Sequence, residues 1–256
     1  MTGRTGKFTF FLFYFSSFLI FSGVCTIICG GDEAGRGAVI GPLVISLVAI
    51  KKDGEKKLAD VGVRDSKLLT RKRREELIDE INDAAAEVLV DMIYPEEINR
   101  AMESKISLNE LEAVRFARLF DRLDNHPSII YLDSPDVIAQ KFGTRVNIYS
   151  TKPTVVAGMK SERAKGEKYT KIIAEHKADA RYPVVSAASI IAKVARDNAI
   201  KELGESLGIE LGSGYPSDQK TVDVVKSNLK NPEFRKNIRE YWVTIDGIKQ
   251  SKLDSF

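Results

Sequence analysis

From Val24 onward the chain alternates short, β-branched apolar runs with longer stretches whose apolar residues recur at helical spacing. A chain patterned this way buries its apolar surface by laying helices on a sheet, so the alternation specifies an α/β domain. Cys25–Gly31 and Val39–Ile50 are separated by a glycine-rich turn and read as a hairpin. Glu87–Tyr94 and Ser128–Asp133 read as further strands, and Lys171–Ala174 as a weaker one. Between them, Thr70–Glu87 places Leu77, Ile78, Ile81, Ala84 and Ala85 on one helical face. Ser107-Leu-Asn-Glu110 has the form of a capping box, ahead of the stripe Ala113, Phe116, Ala117, Phe120 and Leu123. Ala187–Leu203 and Ser217–Leu229 complete the expected helices, the second closed by Asn231-Pro232. Beyond about residue 205 the pattern is helical and polar, as in a small C-terminal appendage.

The first 23 residues stand apart from this pattern. Phe8–Gly23 is apolar and follows Arg4 and Lys7, the arrangement of a leader or anchor. As a helix those sixteen residues span about 24 Å, short of a hydrocarbon core of about 30 Å. Extending the helix would consume Cys25–Cys29, which reads better as a buried strand. An upstream translation start, with Val24 as an alternative initiator, is the competing reading. No stable membrane association is expected. Two cysteines and two distant histidines are too few for a disulfide framework or a structural zinc site, and they point to a reducing, cytoplasmic setting.

Net charge is only +3, so global charge argues weakly for an acidic partner. Arg64–Arg74 carries six basic residues and one acid, which suits a phosphate backbone or a solvated helix start equally. The segment Gly30-Gly-Asp-Glu-Ala-Gly-Arg-Gly37 is more informative. Two adjacent acids at the end of an apolar strand, framed by glycines, make a poor core. On a regular strand Asp32 and Glu33 point to opposite faces, so their convergence calls for a break in the strand that the glycines permit. Asp133 closes the strand Ile129–Asp133, where an acid faces either water or a site at the strand ends. Asp179 precedes a run of small residues suited to a helix packed close on a sheet, and alone it reads as a loop acid. Together the acids form a hard oxygen donor set that selects Mg²⁺ or Mn²⁺ over zinc. Two such ions about 4 Å apart can drive phosphodiester hydrolysis.

DEAGRG at 32–37, DSK at 65–67, YLDSPD at 131–136, HKADARYPVVSAASIIAKVARD at 176–197 and GSGYPSD at 212–218 stand in the order found in ribonuclease HII. The chain resembles that family, in its archaeal form, from about residue 25 to about residue 230. The resemblance implies a ribonuclease H-like fold: a mixed five-stranded sheet flanked by helices, with a catalytic domain over 24–204 and a helical region over 205–256. It implies cleavage of the RNA strand of RNA–DNA hybrids and of single ribonucleotides in duplex DNA, leaving 5′-phosphate and 3′-hydroxyl ends. Asp32, Glu33, Asp133 and Asp179 match the family's metal-binding acids, and Gly35, Arg36 and Gly37 the segment that meets the 2′-hydroxyl and phosphate. Tyr215 matches a tyrosine that packs on the sugar, while Lys67, Lys193 and Arg196 resemble phosphate contacts. Extra residues are expected around 150–168. A monomer is expected, and the C-terminal Gln250–Phe256 bears a faint likeness to a sliding-clamp-binding peptide. The alternatives are a non-catalytic hybrid-binding module and a membrane-associated protein acting through its first 23 residues.

Overall fold

The computed structural model describes residues 26–63, 69–159 and 168–253. Six strands form one mixed sheet: β1 (Ile27–Ala34), β2 (Leu43–Lys51), β3 (Ala85–Ile93), β4 (Ile129–Asp133), β5 (Thr154–Val156) and β6 (Thr170–Glu175). Their spatial order is β3-β2-β1-β4-β6-β5. β1 and β2 form the expected antiparallel hairpin, while β4 runs parallel to β1 and β6 parallel to β4. The expected count of five strands is one short. The addition is β5, an edge strand parallel to β6 inside the stretch 150–168. Three residues on one edge are too short for any periodicity to register. Residues 160–167, Lys67 and the apolar segment 8–23 lie outside the described residues. No helix among the described residues is long and apolar enough to cross a membrane.

Strand alternation sorts the core into two layers. Cys29, Ile45, Leu47 and Ala49 face α4 (Leu108–Asp121) and α5 (Ala139–Tyr149), where Phe116, Phe120 and Phe142 fill the interior. Ile28, Val48 and Ile50 face α7 (Pro183–Leu207), α2 (Arg71–Ala84) and α1 (Gly54–Asp60) on the other side. The long helix α7 starts on Pro183, whose fixed φ suits a first turn, and stops at Gly208 in the left-handed conformation. It therefore runs through position 205, where the sequence suggests a boundary. Thr70 caps α2 and Ser107 caps α4, each accepting a hydrogen bond from the amide three residues on. The remaining helices are α3 (Pro95–Glu103), α6 (Ala178–Arg181), α8 (Gln219–Asn228), α9 (Pro232–Arg235) and α10 (Val243–Leu253).

A separate apolar cluster joins α8, α9 and α10 to the segment between β1 and β2: Val225, Phe234, Ile238, Ile245 and Ile248 pack with Val39, Ile40 and Ile200. Ile40 bridges Ile238 as an isolated antiparallel pair, and the Gly214 carbonyl accepts from the amides of Val39 and Ile40. The C-terminal region is thus bolted to the turn that follows the acidic strand.

Candidate active site

Asp32 and Glu33 lie inside β1, not beyond it: Asp32 pairs with Ser46 and Glu33 with Ile45, so the expected break in the strand does not occur. Regular pleating sends the two acids to opposite faces. Asp32, 5% exposed, turns toward α7 and accepts from the Ser189 hydroxyl, beside the Lys193 ammonium. Glu33 turns toward the α4 side, where Glu112 and Arg36 are its charged neighbours. What unites them is the next strand. Gly31 pairs in parallel with Leu132, so Asp133 ends β4 directly beside the acids and its charge acts on both. Parallel pairing therefore performs the convergence that a strand break was expected to perform.

The fourth expected acid follows a kink. Lys177 adopts a left-handed conformation, φ 56°, which turns the chain out of β6 and into α6. Asp133 Oδ1 accepts from the Ala178 amide at 2.7 Å, holding the first turn of α6 against the end of β4. Asp179, next in sequence, is 3% exposed.

Burial dominates the electrostatics. It pushes the Asp32 carboxyl up to about 6, with Asp133 adding repulsion, against the pull of Lys193 and Ser189. Glu33 is pushed well above its ordinary value by burial first and then by the charges of Asp32, Glu112 and Asp133. Glu33 Oε2 is buried and makes no hydrogen bond among the described residues. No three Asp, Glu, His or Cys side chains among the described residues form a ready-made metal cage. Two carboxylates raised in pKa by burial, one of them with an unsatisfied buried oxygen, beside the Asp133 charge, nevertheless fit a hard divalent cation, whose charge would reverse these costs.

Beside the acids the backbone is bare. Gly35 has φ 92°, and a Cβ there would meet Arg196 Nε at 2.5 Å. A Cβ on Gly37 would meet nothing within 4 Å, so the fold itself makes no use of that glycine. Arg196 is 3% exposed: its guanidinium lies under the Tyr215 ring at 4.3 Å, and Nη2 donates to the Ser213 carbonyl at 2.9 Å. It therefore stands between Gly35 and Tyr215 and brings both to one place. Lys193 is half-buried beside Asp32 and donates to Ser189.

Three residues of this neighbourhood escape sequence reasoning. Ser189 reads only as a small packing residue. Glu112 is wholly buried, and the one signal is its place within the α4 apolar stripe, four residues before Phe116. Arg239 is 0% exposed and donates to the carbonyls of Gly41 and Arg36 at 3.0 Å each. Burial pushes its guanidinium down to about 9.

A family model for ribonuclease HII matches residues 29–245. Ribonuclease HII of Thermococcus onnurineus (strain NA1) is 40% identical over 224 residues, which is 87% of this chain and 90% of that protein. The crystal structure of ribonuclease H2 from Pyrococcus horikoshii OT3 matches with a TM-score of 0.74 and 38% identity, over 88% of this chain and 98% of that one. Ribonuclease HII of Archaeoglobus fulgidus, solved in complex with PCNA, matches with a TM-score of 0.69 and 38% identity, over 84% and 95% of the two chains. With sequence and fold shared over most of its length, this chain belongs to the ribonuclease HII family, and it is a nuclease of the hydrolase class.

Proposed function

We propose that the protein cleaves the RNA strand of RNA–DNA hybrids and nicks duplex DNA at single embedded ribonucleotides, leaving 5′-phosphate and 3′-hydroxyl ends. Asp32, Glu33, Asp133 and Asp179 hold Mg²⁺ or Mn²⁺. The observation that carries this reading is the meeting of three carboxylate charges near the ends of β1 and β4, two of which, Asp32 and Glu33, are raised in pKa by burial, beside the exposed backbone of Gly37. When bound, the ions supply Lewis acidity toward the phosphodiester and neutralise its developing charge. The chain's own residues do the rest. Ser189 and Lys193 orient the Asp32 carboxylate through a hydrogen bond and a neighbouring positive charge. The segment Gly35–Gly37 offers amides to the sugar–phosphate, and Tyr215 packs on the ribose carrying the 2′-hydroxyl. Arg196 acts through Tyr215 by stacking beneath it.

The direct test is a duplex with one ribonucleotide, incubated with the purified chain and either cation. Cutting 5′ of the ribonucleotide, lost on chelation, is expected. Cutting of an all-DNA duplex at the same rate would defeat the reading. Two substitutions probe the reader. Tyr215→Ala should cost about tenfold in kcat/KM at a single ribonucleotide, in line with one base- or sugar-stacking contact, while thermal melting hardly changes. Gly37→Ala should leave stability within about 0.5 kcal/mol, because its methyl enters open space. It should nonetheless raise KM for the ribonucleotide duplex, since that space is where the substrate backbone belongs. A Gly37→Ala protein with unaltered KM would remove the segment from the substrate path.

The PCNA complex of the A. fulgidus protein supports a sliding clamp as a partner here too. Co-elution of the full chain with a clamp, lost when residues 250–256 are deleted, is the expected result.

A further inference from the structure

Burying a carboxylate costs several kcal/mol unless a partner of opposite charge is fixed beside it. Glu112 is such a group: its side chain is 0% exposed, in the middle of the α4 face that covers the sheet. Its ion-pair partner is Arg36, whose Nη1 donates to Glu112 Oε2 while Nη2 donates to Asn109 Oδ1, one helical turn earlier. The amide of Asn109 has only one workable orientation. It lies between a guanidinium, which can only donate, and the Asp136 carboxylate, which can only accept, so its oxygen must face Arg36 and its nitrogen Asp136. Asp136 is itself fixed by Arg145 Nε at 3.2 Å. From the opposite side, Arg239 Nη1 donates to the Arg36 carbonyl at 3.0 Å.

We propose that Glu112, with Asn109, is a positioning residue for the ribonucleotide-reading segment: it anchors the Arg36 guanidinium in α4, so that Gly35–Gly37 presents its backbone, and not a free cation, to the substrate. The proposal rests on the reading of Gly35–Gly37 given above. It accounts for a buried charge that core packing does not require. It also explains how the loop after β1 and the loop after β4, each following a strand that carries an acid of the site, keep a fixed relation: Arg36, Asn109 and Asp136 tie one to the other.

The test uses the full chain and a duplex with one ribonucleotide, with an all-DNA duplex of the same sequence as competitor. Glu112→Ala should raise KM about tenfold, the loss of one charge-assisted hydrogen bond, with kcat within about threefold and weaker preference over the competitor. Glu112→Gln, which still accepts from Arg36, should recover most of that loss. In an Arg36→Ala background Glu112→Ala should add nothing, because the two act as one unit. Should Glu112→Ala prove too unstable to purify, Asn109→Ala removes the half-buried leg of the anchor and should move KM the same way, again with no further effect on Arg36→Ala. Multiplying effects in the double variants, or a loss confined to kcat, would overturn the anchoring role. An Arg36→Ala effect on KM without one from Glu112→Ala or Asn109→Ala would overturn it while leaving the loop reading intact. If Arg36→Ala and Gly37→Ala are both silent, the loop reading itself falls.

Discussion

Asparagine at position 133 should lower the cleavage rate by about 10³-fold or more, the equivalent of about 4 kcal/mol of lost ion-assisted stabilisation. The substitution is close to isosteric. An amide oxygen can still accept from the Ala178 amide, so the first turn of α6 should remain docked on β4. What disappears is a charge that acts on both Asp32 and Glu33. Two consequences separate this from mere damage. Without divalent cations the Asp133→Asn protein should melt at the same temperature as the wild type or higher, since a half-buried charge that repels Asp32 and Glu33 has gone. With Mn²⁺ added, the wild type should gain stability by mass action and the variant should gain far less. Duplex binding should persist in both. Activity within tenfold of wild type would exclude Asp133 from the ion site, whatever the melting curves show.

The second large effect is structural. Gly30→Ala should destabilise the fold by about 3 kcal/mol or more, lowering the melting temperature by roughly 6–12 °C for a domain of this size. A methyl on Gly30 would sit 2.5 Å from the Val184 carbonyl oxygen and from the Val185 nitrogen. These are backbone atoms in the first turn of α7, and no rotamer change moves them aside. Because α7 carries Ser189 and Lys193 against Asp32, the shift needed to admit the methyl also disturbs the acid. Gly37→Ala is the matched control, one glycine lying inside β1 and the other in the turn beyond it, with opposite demands. A calorimetric melt of Gly30→Ala superposing on wild type would show that α7 yields more easily than close packing allows.

The sheet was largely readable from the chain because β2 and β3 are long runs rich in β-branched and apolar residues, β2 buried along nearly its whole length. The hairpin of β1 and β2 follows from the same property, joined to the glycines between them. Helices α2, α4 and α8 announced themselves through Thr70, Ser107 and the residues about Asp218, all of which cap as short polar side chains do. Helix α5 did not, because Ala139–Tyr149 contains Gly143 and the weak helix formers Thr144 and Asn147. Packing supplies what propensity lacks: a Cβ at Gly143 would already press on Ala174 and Ile172 at 3.3 Å, so the glycine lets α5 lie close on β6. Of the site, the acids were legible as residue types in unusual places. Their assembly was not, since it depends on which strand lies beside β1, a fact of topology that no local pattern contains. Glu112 and Arg239 were hidden for the opposite reason, each being one charged residue in an apolar or irregular stretch with its partner on a distant element.

The docking of the C-terminal helices onto Val39 and Ile40 gives the molecule a division of labour. On the proposed function, scission rests on carboxylates rooted in the central sheet, whereas fidelity toward ribose rests on Tyr215 and on a loop braced by Arg239, the tyrosine and the arginine both supplied by the tail. Local opening of the tail would therefore yield a cutter that has lost its discernment before it has lost its edge. On the same reading, mutational drift in the tail would retune which sugars are accepted without rebuilding the proposed ion centre.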